Sequence, residues 1–265
     1  MSKIYHYTNI DAFESILMTK EFWFNRLDRV DDEEESLWGS GKMDIKMSKY
    51  VFVSCWTKDP LENRDLWERY TENKGLRITI DDNPFETHMV TKNFHTYFSH
   101  WFEIISDCVI PLPNNKVELY DVKYVEDNRD KIKQIIKDEN EWIEIKIEEL
   151  GIYKKKNIWE KQNESRFKII SYPYIPEEIN KIKSDLLIDN LIALTGSMFS
   201  ALKTNKDITP THIPVRFKQS ALDSIEITMG PSTTDEDKKR VKELLKKHTS
   251  SNIFRKKVHN SSLIM

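Results

Sequence analysis

The sequence predicts an α+β fold with antiparallel or mixed sheets and flanking helices. Short runs of β-branched and aromatic residues recur along the chain, which is typical of strands. Stretches with apolar residues at helical spacing lie between these runs. The 265 residues include only six glycines and contain neither a dinucleotide-binding nor a phosphate-binding glycine motif. This scarcity of glycine disfavours a doubly wound parallel sheet and leaves the α+β class as the prediction.

The chain begins with a predicted strand, helix and strand. Residues 4–7 are all β-branched or aromatic and predict the first strand. Thr8 stands three residues before Asp11, the spacing of a helix cap, and apolar residues follow at helical spacing. A second strand is predicted at 22–25. Polar side chains that meet at one edge of this unit form a candidate ligand site: His6, Tyr7, Thr8, Asn25 and Arg26. The alternative is an ordinary strand whose histidine bonds a neighbour.

The clearest strand spans residues 50–57, because its continuous apolar start indicates burial on both faces. Ser54 lies near the end of this strand. Residues 62–73 predict a helix that carries Trp67 on its apolar side. An alternating strand is predicted at 76–80.

The middle of the chain is rich in aromatic and charged residues. One apolar stripe at helical spacing predicts a packed helix: Phe98, Trp101, Phe102 and Ile105. Residues 117–125 predict a strand, and residues 128–151 predict one long amphipathic helix that covers a sheet. The basic run 154–156 predicts a solvated loop.

A late strand is predicted at 164–171. Strand alternation places Glu164, Arg166 and Lys168 on one face. Burying a carboxylate and an arginine side by side costs desolvation free energy, so such a pair indicates a functional role. The alternative to a functional role is a structural ion pair on a sheet.

The last third of the sequence predicts two helices and two strands. Thr234 caps the last helix, which carries carboxylates first and lysines last, as the helix dipole favours. No linker composition is present, so a single domain is predicted over 1–250, followed by a polar tail over 251–265. The predicted elements are a helix at 177–203, an edge strand at 213–217, a strand at 224–229 and a helix at 235–247.

Composition excludes several classes of protein. Hydrophobic residues make up 38% and charged residues 32%, which is a globular balance. The net charge of −3 gives no general attraction for nucleic acid, so such a partner needs a local basic patch. Cys55 and Cys108 are the only cysteines and provide no disulfide framework or zinc set. No apolar run has membrane-spanning length, and we expect a cytoplasmic protein without a membrane partner.

The first strand and helix contain Tyr5-His6-Tyr7-Thr8, Ile10 and Ile16-Leu17. This combination resembles the opening of the DNA-modifying ADP-ribosyltransferase toxins and of the RNA 2′-phosphotransferases. The glycine that usually follows their first helix is replaced here by Thr19-Lys20. The resemblance implies an ADP-ribosyltransferase-like fold, NAD as substrate, and His6 and Thr8 beneath the bound NAD.

A second set of residues comprises Ser54-Cys55-Trp56, Leu66-Trp67-x-x-Tyr70 and Lys74-Gly75-Leu76. It resembles an uncharacterised bacterial family often described near phage-defence loci, and the similarity covers nearly the whole chain. That family carries Trp-x-x-Glu-x-Glu-x-Arg where this chain has Trp159 to Arg166. Gln162 or Asn163 stands in place of the first glutamate. The family as such identifies no reaction.

ADP-ribosyltransferases end their three-part site with a glutamate on a late strand. That glutamate binds a ribose hydroxyl and stabilises the sugar cation that forms as nicotinamide leaves. The resemblance implies that His6, Ser54 and Glu164 converge on one pocket, with Glu164 catalytic. Arg26 is implied to hold a phosphate or to assist proton removal. The other residues implied to contact NAD are Tyr7, Thr8, Trp56, Trp67 and Arg166.

The predicted function is NAD-dependent ADP-ribosylation of a nucleic acid or a protein, by a toxin or a phage-defence effector. The only basic neighbourhood near the predicted site comprises Lys154 to Lys156, Lys161 and Arg166. Two alternatives remain open. The chain could be a non-enzymatic binding or defence module, or a nuclease that binds a divalent metal through the acidic run 31–35. A solvated loop is the simpler interpretation of that run.

Overall fold

The computed structural model describes residues 2–32, 34–35, 45–139, 142–179, 187–249 and 258–263. The described residues form one nine-stranded sheet, four smaller sheets and flanking helices. The predicted α+β class is confirmed. Antiparallel pairing dominates the large sheet, and β17–β18, defined below, is its parallel pair among the described strands.

The strands in chain order are β1 (Lys3–Thr8), β2 (Glu21–Arg26), β3 (Val51–Thr57), β4 (Leu76–Asp81), β5 (His88–Thr91), β6 (Phe94–Thr96), β7 (Phe102–Ile105), β8 (Cys108–Pro111), β9 (Tyr120–Asp121), β10 (Lys123–Val125), β11 (Ile136–Glu139), β12 (Trp142–Ile145), β13 (Tyr153–Lys155), β14 (Glu164–Ile170), β15 (Tyr172–Pro173), β16 (His212–Arg216), β17 (Glu226–Met229) and β18 (Val258–Asn260). The α-helices are α1 (Ile10–Thr19), α2 (Arg64–Thr71), α3 (Asn128–Ile135), α4 (Lys156–Trp159), α5 (Pro176–Ile179), α6 (Leu187–Lys203), α7 (Gln219–Ser224) and α8 (Asp235–His248).

The large sheet has a gap beside β3. Its strand order is β16-β2-β3-β1-β4-β17-β18, and β14 also pairs with β3 and β9. β14 pairs with β3 over residues 51–57, which occupies one edge of β3. On the other edge β2 pairs as far as Val53 and β1 joins only at Thr57. Residues 54–56 therefore have no described strand beside them on that edge, and this opening is the β1–β2 gap.

Aromatic side chains fill the core next to the large sheet. Phe22 and Phe24 on β2 point inward, and their rings contact Phe85. Phe85 also packs on Phe167 of β14 and Phe217 after β16. Burial of each such ring contributes about 1.5–3 kcal/mol. The cluster holds β2, β14 and β16 in fixed relation around the gap.

Several predicted elements match the structure closely. The strands predicted at 4–7, 22–25, 50–57, 76–80 and 164–171 correspond to β1, β2, β3, β4 and β14. The edge strand predicted at 213–217 is β16, which ends the sheet. Thr234 caps α8 through a reciprocal capping box with Asp237, and this prediction is confirmed. The cap predicted at Thr8 is wrong, because Thr8 belongs to β1 and Asn9 accepts from the Ala12 amide.

Two predicted helices are wrong. The stripe at Phe98 to Ile105 leads into the β7–β8 hairpin, in which Ile105 pairs with Cys108. The long helix predicted at 128–151 ends at Ile135, and β11 then pairs with β12. The strand predicted at 117–125 is divided into β9 and β10. The helix predicted at 177–203 appears as α5 and α6, and residues 180–186 between them lie outside the described residues.

The expectation of a polar tail at 251–265 is wrong where the structure describes that stretch. Val258–Asn260 forms β18 and pairs in parallel with β17. Leu263 packs against a buried cluster of Tyr7, Leu66 and Trp67. The C-terminal segment 258–263 is therefore part of the folded structure, whereas 250–257 and 264–265 lie outside the described residues.

Candidate functional site

A cavity of about 420 Å³ lies at the β1–β2 gap. β1 and β3 border it along the sheet, and residues of α1, β2 and α2 form further walls. The late strand β14 contributes Glu164 and Arg166. The volume of the cavity is within the range of about 300–1,000 Å³ found for small-molecule sites. The cavity is therefore large enough to be a ligand site.

The structure brings most of the predicted site residues to this cavity. His6, Ser54 and Glu164 all line it, so their predicted convergence on one pocket is confirmed. They come from β1, β3 and β14, which are far apart in the chain but lie close together in the sheet. The other predicted residues that line the cavity are Tyr7, Thr8, Trp56 and Arg166.

Two predicted site residues are not among those that line the cavity. Arg26 is buried, and its guanidinium binds Asp28 through Nε at 2.7 Å and Asp207 through Nη1 at 3.0 Å. Arg26 lies on the same buried face of β2 as Phe22 and Phe24, and its two aspartate partners are not among the residues that line the cavity. Trp67 stands edge-on behind Tyr7, with ring centroids 4.8 Å apart. Arg26 and Trp67 therefore pack behind the walls of the cavity. The structure gives no support for the catalytic role predicted for Arg26 or the NAD contact predicted for Trp67.

His6 is a neutral imidazole with a defined tautomer. Its Nδ1 lies 2.9 Å from the Cys55 carbonyl oxygen, which can only accept, so Nδ1 carries the proton. Burial lowers the pKa of His6 from 6.5 to about 4, although the hydrogen bond to Cys55 opposes this shift. Phe22 packs on the ring at a centroid distance of 4.9 Å. At neutral pH these contacts leave Nε2 as a hydrogen-bond acceptor.

This environment predicts a pH dependence of stability. The pKa of His6 is lower in the folded chain than in the unfolded chain, so the unfolded state binds more protons between pH 6.5 and about 4. We expect the contribution of His6, about 3 kcal/mol, to be lost as the pH falls through this window. Urea unfolding of the parent and of His6→Asn, whose amide can still donate to Cys55, measures the difference. An identical pH dependence in both proteins would contradict the expectation.

Ser54 supports an aromatic wall. Its hydroxyl accepts a hydrogen bond of 2.7 Å from the indole nitrogen of Trp56, and both side chains are buried. The Trp56 ring lies 5.2 Å from the rings of both His6 and Phe22. Ser54 therefore orients the indole that packs on His6, a contact that the sequence did not indicate. A flat apolar group is the kind of ligand that such a wall fits.

Glu164 and three other buried charged residues form the charge quartet, defined as Glu35, Lys154, Glu164 and Arg166. The Arg166 guanidinium binds both Glu35 oxygens, and its Nε binds Glu164 Oε1. Lys154 Nζ lies 2.8 Å from Glu164 Oε2 and 3.8 Å from Glu35. Two negative and two positive charges balance, which compensates for the cost of burying them.

The quartet keeps Glu164 ionised. Burial alone would raise the pKa of Glu164, but Arg166 and Lys154 outweigh it and lower this pKa to about 2. The Glu164 backbone amide also donates to the Tyr124 hydroxyl at 2.8 Å. Burial raises the pKa of the Cys55 thiol well above its usual value, so Cys55 is not a thiolate nucleophile at neutral pH. Glu164 is therefore a fixed, ionised carboxylate at the cavity.

Lys154 was expected in a solvated loop, and this is wrong. Its side chain is only 2% exposed, and Nζ lies 4.3 Å from the Trp159 ring centroid. Lys154 lies on β13, which pairs in parallel with β10, and its Nζ bonds Glu164 on β14. A run of three lysines gives no sign of which one is buried. The sequence could have identified Lys154 only through its partner Glu164.

A polar wall that the sequence analysis missed lies beside Glu164. Gln162 Nε2 donates to the Tyr70 hydroxyl at 3.2 Å, and that hydroxyl donates to Asp31 Oδ2 at 3.0 Å. All three residues line the cavity. Two signals pointed to part of this wall: Tyr70 shares a helix side with Trp67, and Gln162 precedes Glu164 by two positions.

The acidic run 31–35 does not form a common carboxylate cluster in its described part. Asp31 contacts Tyr70, Glu34 contacts Lys155, and Glu35 contacts Arg166. Glu33 lies outside the described residues. Among the residues that the structure describes, no group of three or more His, Cys, Asp or Glu side chains is arranged to hold a metal ion.

The C-terminal segment 258–263 supports the wall formed by α2. The Glu62 carboxylate accepts from the Trp67 indole at 2.9 Å and from the Ser262 amide at 2.6 Å. Ser261 donates to the same carboxylate. Because Trp67 stands behind Tyr7, this contact links the C-terminal segment to a residue that lines the cavity.

The described part of the chain contains no helix that is both long and apolar enough to cross a membrane. Comparisons of the whole chain with protein-family models, with curated proteins and with solved structures gave no match.

Proposed function

We propose that the chain is an ADP-ribosyltransferase that binds NAD in the cavity at the β1–β2 gap and cleaves its bond to nicotinamide. The convergence of His6, Ser54 and Glu164 on one cavity is the observation that carries this proposal. The cavity offers a neutral acceptor, an aromatic wall and a fixed carboxylate, which suit a hydroxyl or amide, a flat ring and a developing sugar cation.

The aromatic wall suits the nicotinamide ring. Tyr5, Phe22, Trp23 and Trp56 line the cavity with large apolar surfaces. A flat heteroaromatic ring gains from stacked or edge-on contacts with such side chains. His6 adds Nε2, which can accept a hydrogen bond from a ribose hydroxyl or from the carboxamide. These groups would hold the end of NAD at which the bond breaks.

Glu164 suits the charge that develops on the sugar. As nicotinamide leaves, positive charge grows on the ribose at C1′, and a fixed carboxylate stabilises it. Arg166 and Lys154 weaken the net field of Glu164, yet they also hold its carboxylate in one position. A preorganised charge loses nothing to reorganisation during the reaction. The pKa of about 2 keeps this charge present at any physiological pH.

Release of nicotinamide tests the proposal. We expect the protein to release nicotinamide from NAD, and to transfer an ADP-ribose label to one of three pools: DNA, RNA or protein. Transfer confined to the protein pool would remove the nucleic-acid acceptor. A binding module would bind NAD without releasing nicotinamide. Absence of release with every pool and with water would overturn the proposed function.

A further inference from the structure

The cavity is lined by three carboxylates among the described residues: Glu21, Asp31 and Glu164. Glu164 is engaged by Arg166 and Lys154 on its two oxygens. It therefore has no oxygen suited to take a proton, and its pKa of about 2 points the same way. Any proton that leaves an acceptor in this cavity needs a different base.

Asp31 is placed to be that base. Its Oδ2 accepts from the Tyr70 hydroxyl at 3.0 Å, and Arg69 Nη1 lies 3.9 Å from the same oxygen. Both contacts engage Oδ2, so within the described part of the chain Oδ1 is left to accept from a substrate. The side chain is 37% exposed, which lets an acceptor approach it from solvent.

Tyr70 connects Asp31 to the reacting end of the cavity. The Tyr70 hydroxyl donates to Asp31 and accepts from Gln162 at 3.2 Å. Gln162 precedes Glu164 by two positions, and both side chains line the cavity. Asp31 and Glu164 both raise the pKa of Tyr70, after the larger effect of burial, so the hydroxyl lies within the field of both carboxylates. One ligand in the cavity could therefore meet both.

We propose that Asp31 is the general base that deprotonates the acceptor, with Tyr70 and Gln162 as its positioning residues. This rests on the proposed function. An O–H or N–H group of the acceptor gives its proton to Asp31 as its oxygen or nitrogen forms a bond to C1′. The bond from C1′ to the nicotinamide nitrogen breaks, and its electron pair leaves with nicotinamide. A base of this kind contributes about 10²–10⁴-fold to the rate.

Azide provides the test, because it attacks as an anion and has no proton to lose. We expect Asp31→Asn to slow nicotinamide release into water at least about 100-fold with little change in NAD affinity. Azide should then accelerate nicotinamide release by this variant by about tenfold or more, because azide needs no general base. The product should be ADP-ribosyl azide. The parent should respond weakly to azide. Glu34→Gln, which changes a carboxylate of the same acidic run that contacts Lys155, is the matched control and should behave as the parent.

The outcomes separate the two proposals. A parent that releases no nicotinamide overturns the proposed function itself. An active parent with an unchanged Asp31→Asn variant, or a slow variant that azide does not rescue, overturns only the role of Asp31. Rescue by azide of Glu21→Gln instead of Asp31→Asn would assign the base to Glu21 and likewise overturn this inference.

Discussion

Replacing Arg166 with methionine is expected to lower the free energy of unfolding by about 3–5 kcal/mol. The guanidinium is fully buried and binds Glu35, Glu164 and the Gly151 carbonyl. Its removal leaves two buried carboxylates whose one remaining cationic partner in the described part of the chain is Lys154. Urea unfolding monitored by tryptophan fluorescence measures this loss.

A second substitution distinguishes charge imbalance from lost packing. Glu35→Gln added to Arg166→Met leaves Lys154 and Glu164 as a balanced pair at 2.8 Å. We expect the double variant to be more stable than Arg166→Met alone. Lys238→Met, which removes a surface pair with Asp235, should change stability by less than about 1 kcal/mol. A double variant less stable than the single one would contradict the balanced quartet.

Replacing Glu164 with glutamine is expected to lower kcat for nicotinamide release by about 100- to 1,000-fold, with a small change in KM for NAD. This pattern marks an interaction that is used chiefly in the transition state. From the sequence alone, this nearly isosteric change is expected to leave the stability of the fold unchanged. The structure changes that expectation, because Lys154 and Arg166 both lose a buried partner.

The kinetic comparison therefore needs a balanced background. Lys154→Met combined with Glu164→Gln leaves Glu35 and Arg166 as a pair. We expect this double variant to fold more stably than Glu164→Gln and to stay equally slow. Lys154→Met alone keeps the Glu164 carboxylate and is the control for the loss of Lys154, so lower turnover in the double variant than in this control measures the loss of the Glu164 charge. Full activity in the double variant would show that Glu164 does not act in the reaction.

The strands around the site could be predicted from the sequence because their residues differ sharply from their neighbours. Residues 51–53 form a continuous apolar run and residues 164–169 alternate charged and uncharged side chains, and the strands that contain them pair with each other. The prediction of one long helix over residues 128–151 is wrong for a physical reason. Apolar spacing fits a helix as far as Ile135, but residues 136–139 and 142–145 pair as antiparallel strands instead. Periodicity alone cannot decide between the two over such short runs.

The candidate site was only partly predictable. His6, Ser54 and Glu164 stand out by residue type and by resemblance to a known arrangement. Arg26 does not reach the cavity because its guanidinium binds Asp28 and Asp207, and the contact with Asp207 forms only in the fold. Glu35 contacts Arg166 across 131 positions, and no local pattern reports such a contact. Asp31 acquires its neighbours in the same way, through the fold.

The central claim is that NAD binds in the cavity at the β1–β2 gap. Thermal unfolding of the parent and of Ala12→Phe, with increasing NAD, tests it most directly. Ala12 lines the cavity from α1, and a phenylalanine there would occupy the ligand space. NAD at a hundredfold excess over Kd should stabilise the parent by about 2.7 kcal/mol, which raises Tm by several degrees, and should leave Tm of Ala12→Phe unchanged. No shift of the parent at millimolar NAD, or an equal shift in both proteins, would contradict the claim.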